Sequence, residues 1–331
     1  MNKPKTMSIG GATYDLFVQV PHEVIRRKDG EAVFALPLGQ KVRVENLQES
    51  CGGGASNTAV GLQLLGCAAR FEGVIGSDQW GEKLLENFTN EGVDARCATV
   101  VEGEVTSFSI VLTGTGGERI ILYEPGTNAH LHKANFDIDE VAKMDWVYLN
   151  HIQEGACVLQ DDIVDVLAHE HPRLTWNPGG CQIDSGIRKK ANLRLLKYTD
   201  LLLLNKEESL AFTESKTTEE AMRKLLACGV HSLCITDGGR GVLGTDGKTL
   251  YHCPCLPVPV VEVTGAGDAF GTGITWALLT GKDFPTALKA GTINAASVVS
   301  SVGAEHGLLT EKEMLARLAS ENLEVQMVGQ V

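Results

Sequence analysis

From Trp146 onward, short apolar runs and helix-period segments alternate without a break. Val147–Leu149, Leu174–Trp176, Leu201–Leu204 and Ser232–Thr236 read as strands, and Val158–Leu167, Ile183–Leu196 and Glu219–Ala227 as the helices between them. Leu201–Leu204 is apolar at every position, as a strand covered on both faces must be. Repeated βαβ units leave little freedom. The expected fold is α/β, with a doubly wound, mainly parallel sheet and helices on both sides.

The N-terminal half carries the same signals less evenly. Met7–Gly11 reads as a first buried strand with Asp15 just beyond it, and Cys51–Asn57 opens a helix that runs to Leu65 and stops at Gly66. Phe71–Ile75 reads as a strand, and Trp80–Phe88 as a helix capped by Gly92. Two stretches lack helical period and alternate instead: Phe17, Val18, Val20, Val42 and Val44 in the first, then Phe108, Ile110, Leu112, Ile120 and Leu122 around a Gly114–Gly117 turn. These predict two β-ribbons forming a small lid over residues 16–50 and 98–123, with the core made of residues 1–15, 51–97 and 124–331.

Composition removes several function classes. The net charge is −13, and the basic triplet Arg26-Arg27-Lys28 is short and followed by Asp29, so neither nucleic acid nor an anionic membrane is an expected partner. Nine cysteines form no paired C-x-x-C motif; Cys253-Pro254-Cys255 stands without a second pair, and reduced thiols are expected. The His130/His132 and His169/His171 pairs read as loop or surface histidines. No apolar segment precedes the first strand and no apolar run reaches membrane-spanning length, so a cytoplasmic location is expected.

In such a sheet, ligands bind at the carboxyl ends of the strands, and the polar and glycine-rich segments fall there. The central one is Val263-Thr264-Gly265-Ala266-Gly267-Asp268, entered from the β-branched run Val258–Val263, which reads as a strand, and leading into a helical pattern from Phe270. The unpaired amides and positive dipole end of that helix make a natural anion site. A carboxylate at Asp268 suits a base taking a proton from an attacking hydroxyl, or is simply an acidic first turn. The spacing Gly265-x-Gly267-x-x-x-Gly271 is one residue too long for a dinucleotide fingerprint, and no P-loop motif occurs. Asp15 could take two hydroxyls of a polyol or be a turn residue. Asn57 could bind a hydroxyl or satisfy a helix start. Glu208, one turn after Asn205, could act on Mg²⁺ through water or be an ordinary first-turn acid. Thr236, Gly238 and Gly241 could let a nucleotide lie on bare backbone or form a turn between strands.

Together these residues resemble the ribokinase-like (PfkB) carbohydrate kinases. Gly52–Asn57 is similar to the G-G-x-x-x-N signature, Val263–Asp268 to the end of D-T-x-G-A-G-D, Asn205–Glu208 to N-x-x-E, and Thr236–Gly241 to T-x-G-x-x-G. The likeness covers nearly the whole chain. It implies an ATP-dependent kinase acting on a sugar hydroxyl, with Asp268 as base and the amides of Gly265, Ala266 and Gly267 as anion hole. It places Asp15, Gly53 and Asn57 on the acceptor, and Asn205, Thr236, Gly238, Gly241 and Asn294 around the nucleotide, with Mg²⁺ reached from Glu208 through water. It further implies K⁺ and a homodimer paired through the lid. Glu262-Val263 departs from the signature's Asp-Thr at the cation position, and Gly54 stands where lysine is frequent. Few lid cations (Arg26, Arg27, Lys28, Lys41, Arg43, Arg119) point to an unphosphorylated acceptor. A nucleoside acceptor, stacked on Phe17, Phe34 or Phe108, is the alternative; a sugar- or nucleotide-binding regulator without catalysis is another.

Overall fold

The computed structural model describes residues 3–28, 31–114, 119–133, 137–152 and 157–331. Asp29 and residues 115–118 of the Gly114–Gly117 turn lie outside them.

A nine-stranded sheet forms the body. Its parallel part runs in the order Ser232–Thr236, Leu201–Asn205, Arg173–Trp176, Trp146–Leu149, Lys5–Ile9 and Ala68–Glu72. Three antiparallel strands, Val242–Thr245, Thr249–Cys253 and Gln326–Gln330, extend one edge. Two apolar layers sandwich the sheet. One contains Leu149, Trp176, Leu202 and Leu204 beneath helices such as Cys157–Glu170; the other contains Tyr148, Leu203, Ile274 and Ile293 beneath Ala266–Leu279 and Phe284–Val298. Alternate residues of the same strand feed opposite layers, which is why Leu201–Leu204 is apolar throughout.

The second sheet has four strands in the order Arg119–Glu124, Phe108–Thr113, Thr13–Gln19 and Asn46–Gly52. The two expected ribbons are therefore one sheet, joined where Thr13–Gln19 pairs in parallel with Phe108–Thr113. Its first strand starts at Thr13, so Asp15 sits inside this sheet and not just beyond a core strand.

Three sequence expectations need correction. Val258–Val263 is no strand: Val260, Val261 and Val263 are exposed at 64%, 57% and 47%, and the Val261 and Glu262 amides both donate to Val299 O at a helix end instead of to a neighbouring strand. Its β-branched residues Val258, Val260 and Val263 line a cleft wall. Ile183–Leu196 is two helices, Gly180–Ser185 and Lys190–Leu196, parted at Gly186 with φ of 70°. Phe71–Ile75 divides after Glu72; Val74–Gly76 pairs instead with Thr99–Val101.

Candidate active site

Gly265 has φ of 78°, and a Cβ there would lie 2.5 Å from that of Ala304. Glycine is thus required twice, by conformation and by space. It swings the chain into helix Ala266–Leu279, whose first-turn amides face the cleft. Of the three amides expected at the anion hole, that of Ala266 donates to Val263 O at 3.2 Å. Gly267 is open, with nothing within 4 Å of a Cβ placed on it.

Asp268 lies in that first turn, partly exposed, with Oδ2 accepting from Asn57 Nδ2 at 2.8 Å. Burial lifts its pKa to about 6; the Asn57 amide opposes the rise and the Glu208 charge adds to it. A carboxyl poised there is ionised near neutrality yet basic enough to take a proton. Asn57 reaches it from helix Gly54–Leu64, entered through Gly53 at φ of 92°. A Cβ on Gly53 would meet Ala12 Cα at 2.7 Å, so only glycine permits this crossing of the Gly11–Thr13 backbone.

Asp15 is 7% exposed and accepts from Ser109 Oγ on the neighbouring lid strand. Burial lifts its pKa to about 6, Ser109 opposing and the Glu262 charge adding. Its Oδ2 would lie 2.3 Å from a Cβ on Gly52, which accounts for that glycine. Sequence reasoning missed two further amides here. Asn150, following Trp146–Leu149, donates to Thr58 Oγ1 at 3.1 Å, and Asn128 donates to Thr13 Oγ1 at 3.3 Å. Those bonds orient the two groups, and Oδ1 of Asn57, Asn128 and Asn150 are each buried without a donor. Asn150 had a signal, since it ends a core strand; Asn128 reaches the site only through tertiary packing.

A cavity of about 280 Å³ lies beside this helix start, lined by Thr236, Gly238, Gly239, Gly241, Val258, Val260, Val263, Phe270, Thr292, Ala295, Ala296 and Val299, with Ala266 and Gly267 also on its wall. Gly238 and Gly239 present bare backbone, with nothing within 4 Å of an added Cβ. Asn294 does not line it: fully buried, it donates to Ala269 O and accepts from Leu309 N, clamping two helices to the loop that follows them. Asn205 and Glu208 form a reciprocal cap, Glu208 N to Asn205 Oδ1 and Asn205 N to Glu208 Oε2, both 2.8 Å. The first-turn reading of Glu208 is therefore real, and Asn205 is the cap of the same helix. Glu208 Oε1 carries no part of that cap, and a single carboxylate in range of Asp268 suits Mg²⁺ held mainly by phosphates and water. Among the described residues no group of three or more His, Cys, Asp or Glu could hold a metal on its own, and no helix is long and apolar enough to cross a membrane.

The model of the pfkB family carbohydrate kinases matches residues 22–311. A ribokinase of Haemophilus influenzae is 27% identical over 326 residues, covering 94% of this chain and 97% of its own. An uncharacterized sugar kinase of Archaeoglobus fulgidus is 28% identical over 252 residues, 75% of this chain and 98% of its own. Among solved structures, Arabidopsis thaliana ribokinase complexed with ribose and ATP superposes with a TM-score of 0.79 at 22% identity, covering 97% and 100% of the two chains. Burkholderia thailandensis nucleoside kinase in complex with inosine gives 0.76 at 20%, covering 96% and 98%. These likenesses establish the fold.

Proposed function

The chain belongs to the pfkB family of carbohydrate kinases, and on that premise we propose that it transfers the γ-phosphoryl group of ATP to a hydroxyl of an unphosphorylated sugar. The observation that carries this reading is the set of three buried amide oxygens, on Asn57, Asn128 and Asn150, that find no donor among the described residues. Buried acceptors of this kind call for a ligand rich in O–H groups. Asp15, Glu262, Asp268 and Glu208 make the surroundings acidic, which disfavours an anionic acceptor such as a phosphosugar.

In the proposed reaction, an acceptor hydroxyl held by Asn57 and Asp15 loses its proton to Asp268. Its oxygen bonds to the γ-phosphorus while the bond to the β–γ bridging oxygen breaks, and ADP leaves. Base catalysis at this position is worth about 10²–10⁴ in rate. The open Gly267 amide and the helix dipole offset charge on the transferred group. Thr236 and the bare backbone of Gly238 would lie along the nucleotide. Mg²⁺, approached from Glu208, would neutralise charge on the phosphates.

One observation favours a second reading, a nucleoside acceptor. Of the three aromatic candidates, Phe17 shares the Asp15 face of its strand, whereas Phe108 belongs to a stack with Trp80 and Tyr14 on the opposite face, and Phe34 lies in a separate hairpin. The lid strand Arg119–Glu124 is exposed along its length, with Ile120, Ile121, Leu122 and Tyr123 between 40% and 52% accessible. That edge supports pairing of lids in a homodimer.

The test is ADP release from MgATP with pentoses, hexoses, their phosphates and nucleosides, with Asp268→Asn as the blank. Turnover selective for a neutral sugar and abolished by Asp268→Asn is expected. Turnover only with phosphosugars, or full turnover without the carboxylate, refutes the proposal.

A further inference from the structure

Among the described residues the lid touches the catalytic loop through one charged contact. Arg119, first residue of the lid edge strand, places Nη1 2.7 Å from Glu262 Oε1. The same oxygen accepts from Thr264 N at 2.9 Å and from Thr264 Oγ1 at 2.6 Å. Thr264 directly precedes Gly265, where the backbone turns into the anion hole. The Glu262 side chain is 8% exposed, and its other oxygen, Oε2, is buried without a partner. So a buried carboxylate is held through one oxygen by three donors, one of which the lid carries in. The Glu262 charge is also felt at Asp15.

The family likeness implies a monovalent cation beside this loop. In this chain the residues do not fit that need: a guanidinium already meets the carboxylate at hydrogen-bond distance, and Oε1 is occupied. A fixed cation on a movable sheet differs from an ion in solution, because its position depends on where the lid sits.

Resting on the kinase reading, we propose that Arg119 is a positioning residue for phosphoryl transfer. From the lid it holds Glu262, Glu262 holds the Thr264 amide, and the anion hole reaches its working geometry only when the lid lies over the acceptor. Transfer is thereby coupled to acceptor binding and needs no K⁺. With the latch cut, water can stand in for the acceptor: it loses a proton to Asp268, its oxygen bonds to the γ-phosphorus, the bond to the β–γ bridging oxygen breaks, and ADP and inorganic phosphate result.

The experiment compares full-length wild type with Arg119→Met, which keeps the stem without the charge, and Arg119→Lys. Because Arg119 is 39% exposed, the expected loss in kcat for Arg119→Met is about fivefold. KM for ATP should hold, since the nucleotide cavity lies on the other side of residues 258–263. The ratio of phosphate release to acceptor phosphorylation should rise. Millimolar guanidinium at fixed ionic strength should restore rate and coupling, Arg119→Lys should fall between, and the wild-type rate should be equal in K⁺ and Na⁺. An unchanged rate and coupling in Arg119→Met, a loss that guanidinium leaves unrepaired, or a wild type that requires K⁺ each overturns the proposal. Hydrogen exchange of the 262–268 segment adds a readout that needs no acceptor. Faster exchange in Arg119→Met, slowed again by guanidinium, is expected, and equal exchange overturns the latch. A wild type inactive with every acceptor would sink the kinase reading alone, leaving exchange to decide the latch.

Discussion

Replacing Asn57 by alanine removes the amide that donates to Asp268 Oδ2 at 2.8 Å. A hydrogen bond to an ionised carboxylate is worth about 1.5–3 kcal/mol, and one pKa unit corresponds to about 1.4 kcal/mol. The Asn57 bond stabilises the ionised form, so its loss raises the Asp268 pKa by about one to two units. The wild-type group titrates at about 6, and the variant's should move to about 7–8. Activity requires the ionised base, so it is present above the pKa and lost as pH falls through it. The assay is kcat/KM for the acceptor against pH at saturating MgATP, which reports the ionisations of the enzyme–MgATP complex that binds the acceptor. Asp15 also titrates at about 6, and its partners Ser109 and Glu262 are untouched. The wild-type acid limb should therefore be steep, with two groups together, and the variant's should split, one step staying and one moving up. A lower plateau is expected as well, since Asn57 is placed on the acceptor; the position of the limb is independent of that level. A limb that stays where it was, or moves to lower pH, refutes the assignment of Asp268 as the base held by Asn57.

Two further outcomes concern stability. The pKa of Asp268 is raised from 3.8 to about 6, so the fold disfavours its ionised form. Asp268→Asn should then stabilise the protein by about 2–3 kcal/mol above that pKa, the gain fading as pH falls through 6 towards 3.8. Thermal unfolding at pH 8 and pH 4 checks it, and an equal gain at both rejects it. A Cβ on Gly271 would lie 1.8 Å from Tyr148 Oη, a fully buried hydroxyl with no partner. Gly271→Ala should cost about 1–3 kcal/mol by overpacking. Tyr148→Phe alone should be nearly neutral and should recover part of that cost in the double variant; additive losses in denaturant unfolding would show that the two do not meet.

Short-range order was legible wherever one residue type answers one local demand. Glycine-rich segments at Gly52–Gly54 and Gly265–Gly267 marked the openings of two helices, Glu208 read as a first-turn acid, and Leu201–Leu204 declared burial on both faces. The Val258–Val263 run misled because β-branching reports a preference for extended backbone, while strand pairing needs a free neighbouring edge. Asn294 misled for a related reason: its neighbours Ala295 and Ala296 line the cavity, but its own side chain faces inward, where two helices need an amide.

What the sequence by itself determined is the α/β alternation and the Gly-Ala-Gly-Asp site at a helix start, because both rest on contacts among residues close along the chain. Only the tertiary structure decided which distant groups complete that site. Asn57 meets Asp268 across 211 positions and Arg119 meets Glu262 across 143. Such contacts are set by how the sheets and helices pack on one another, and no local pattern along the chain records that packing.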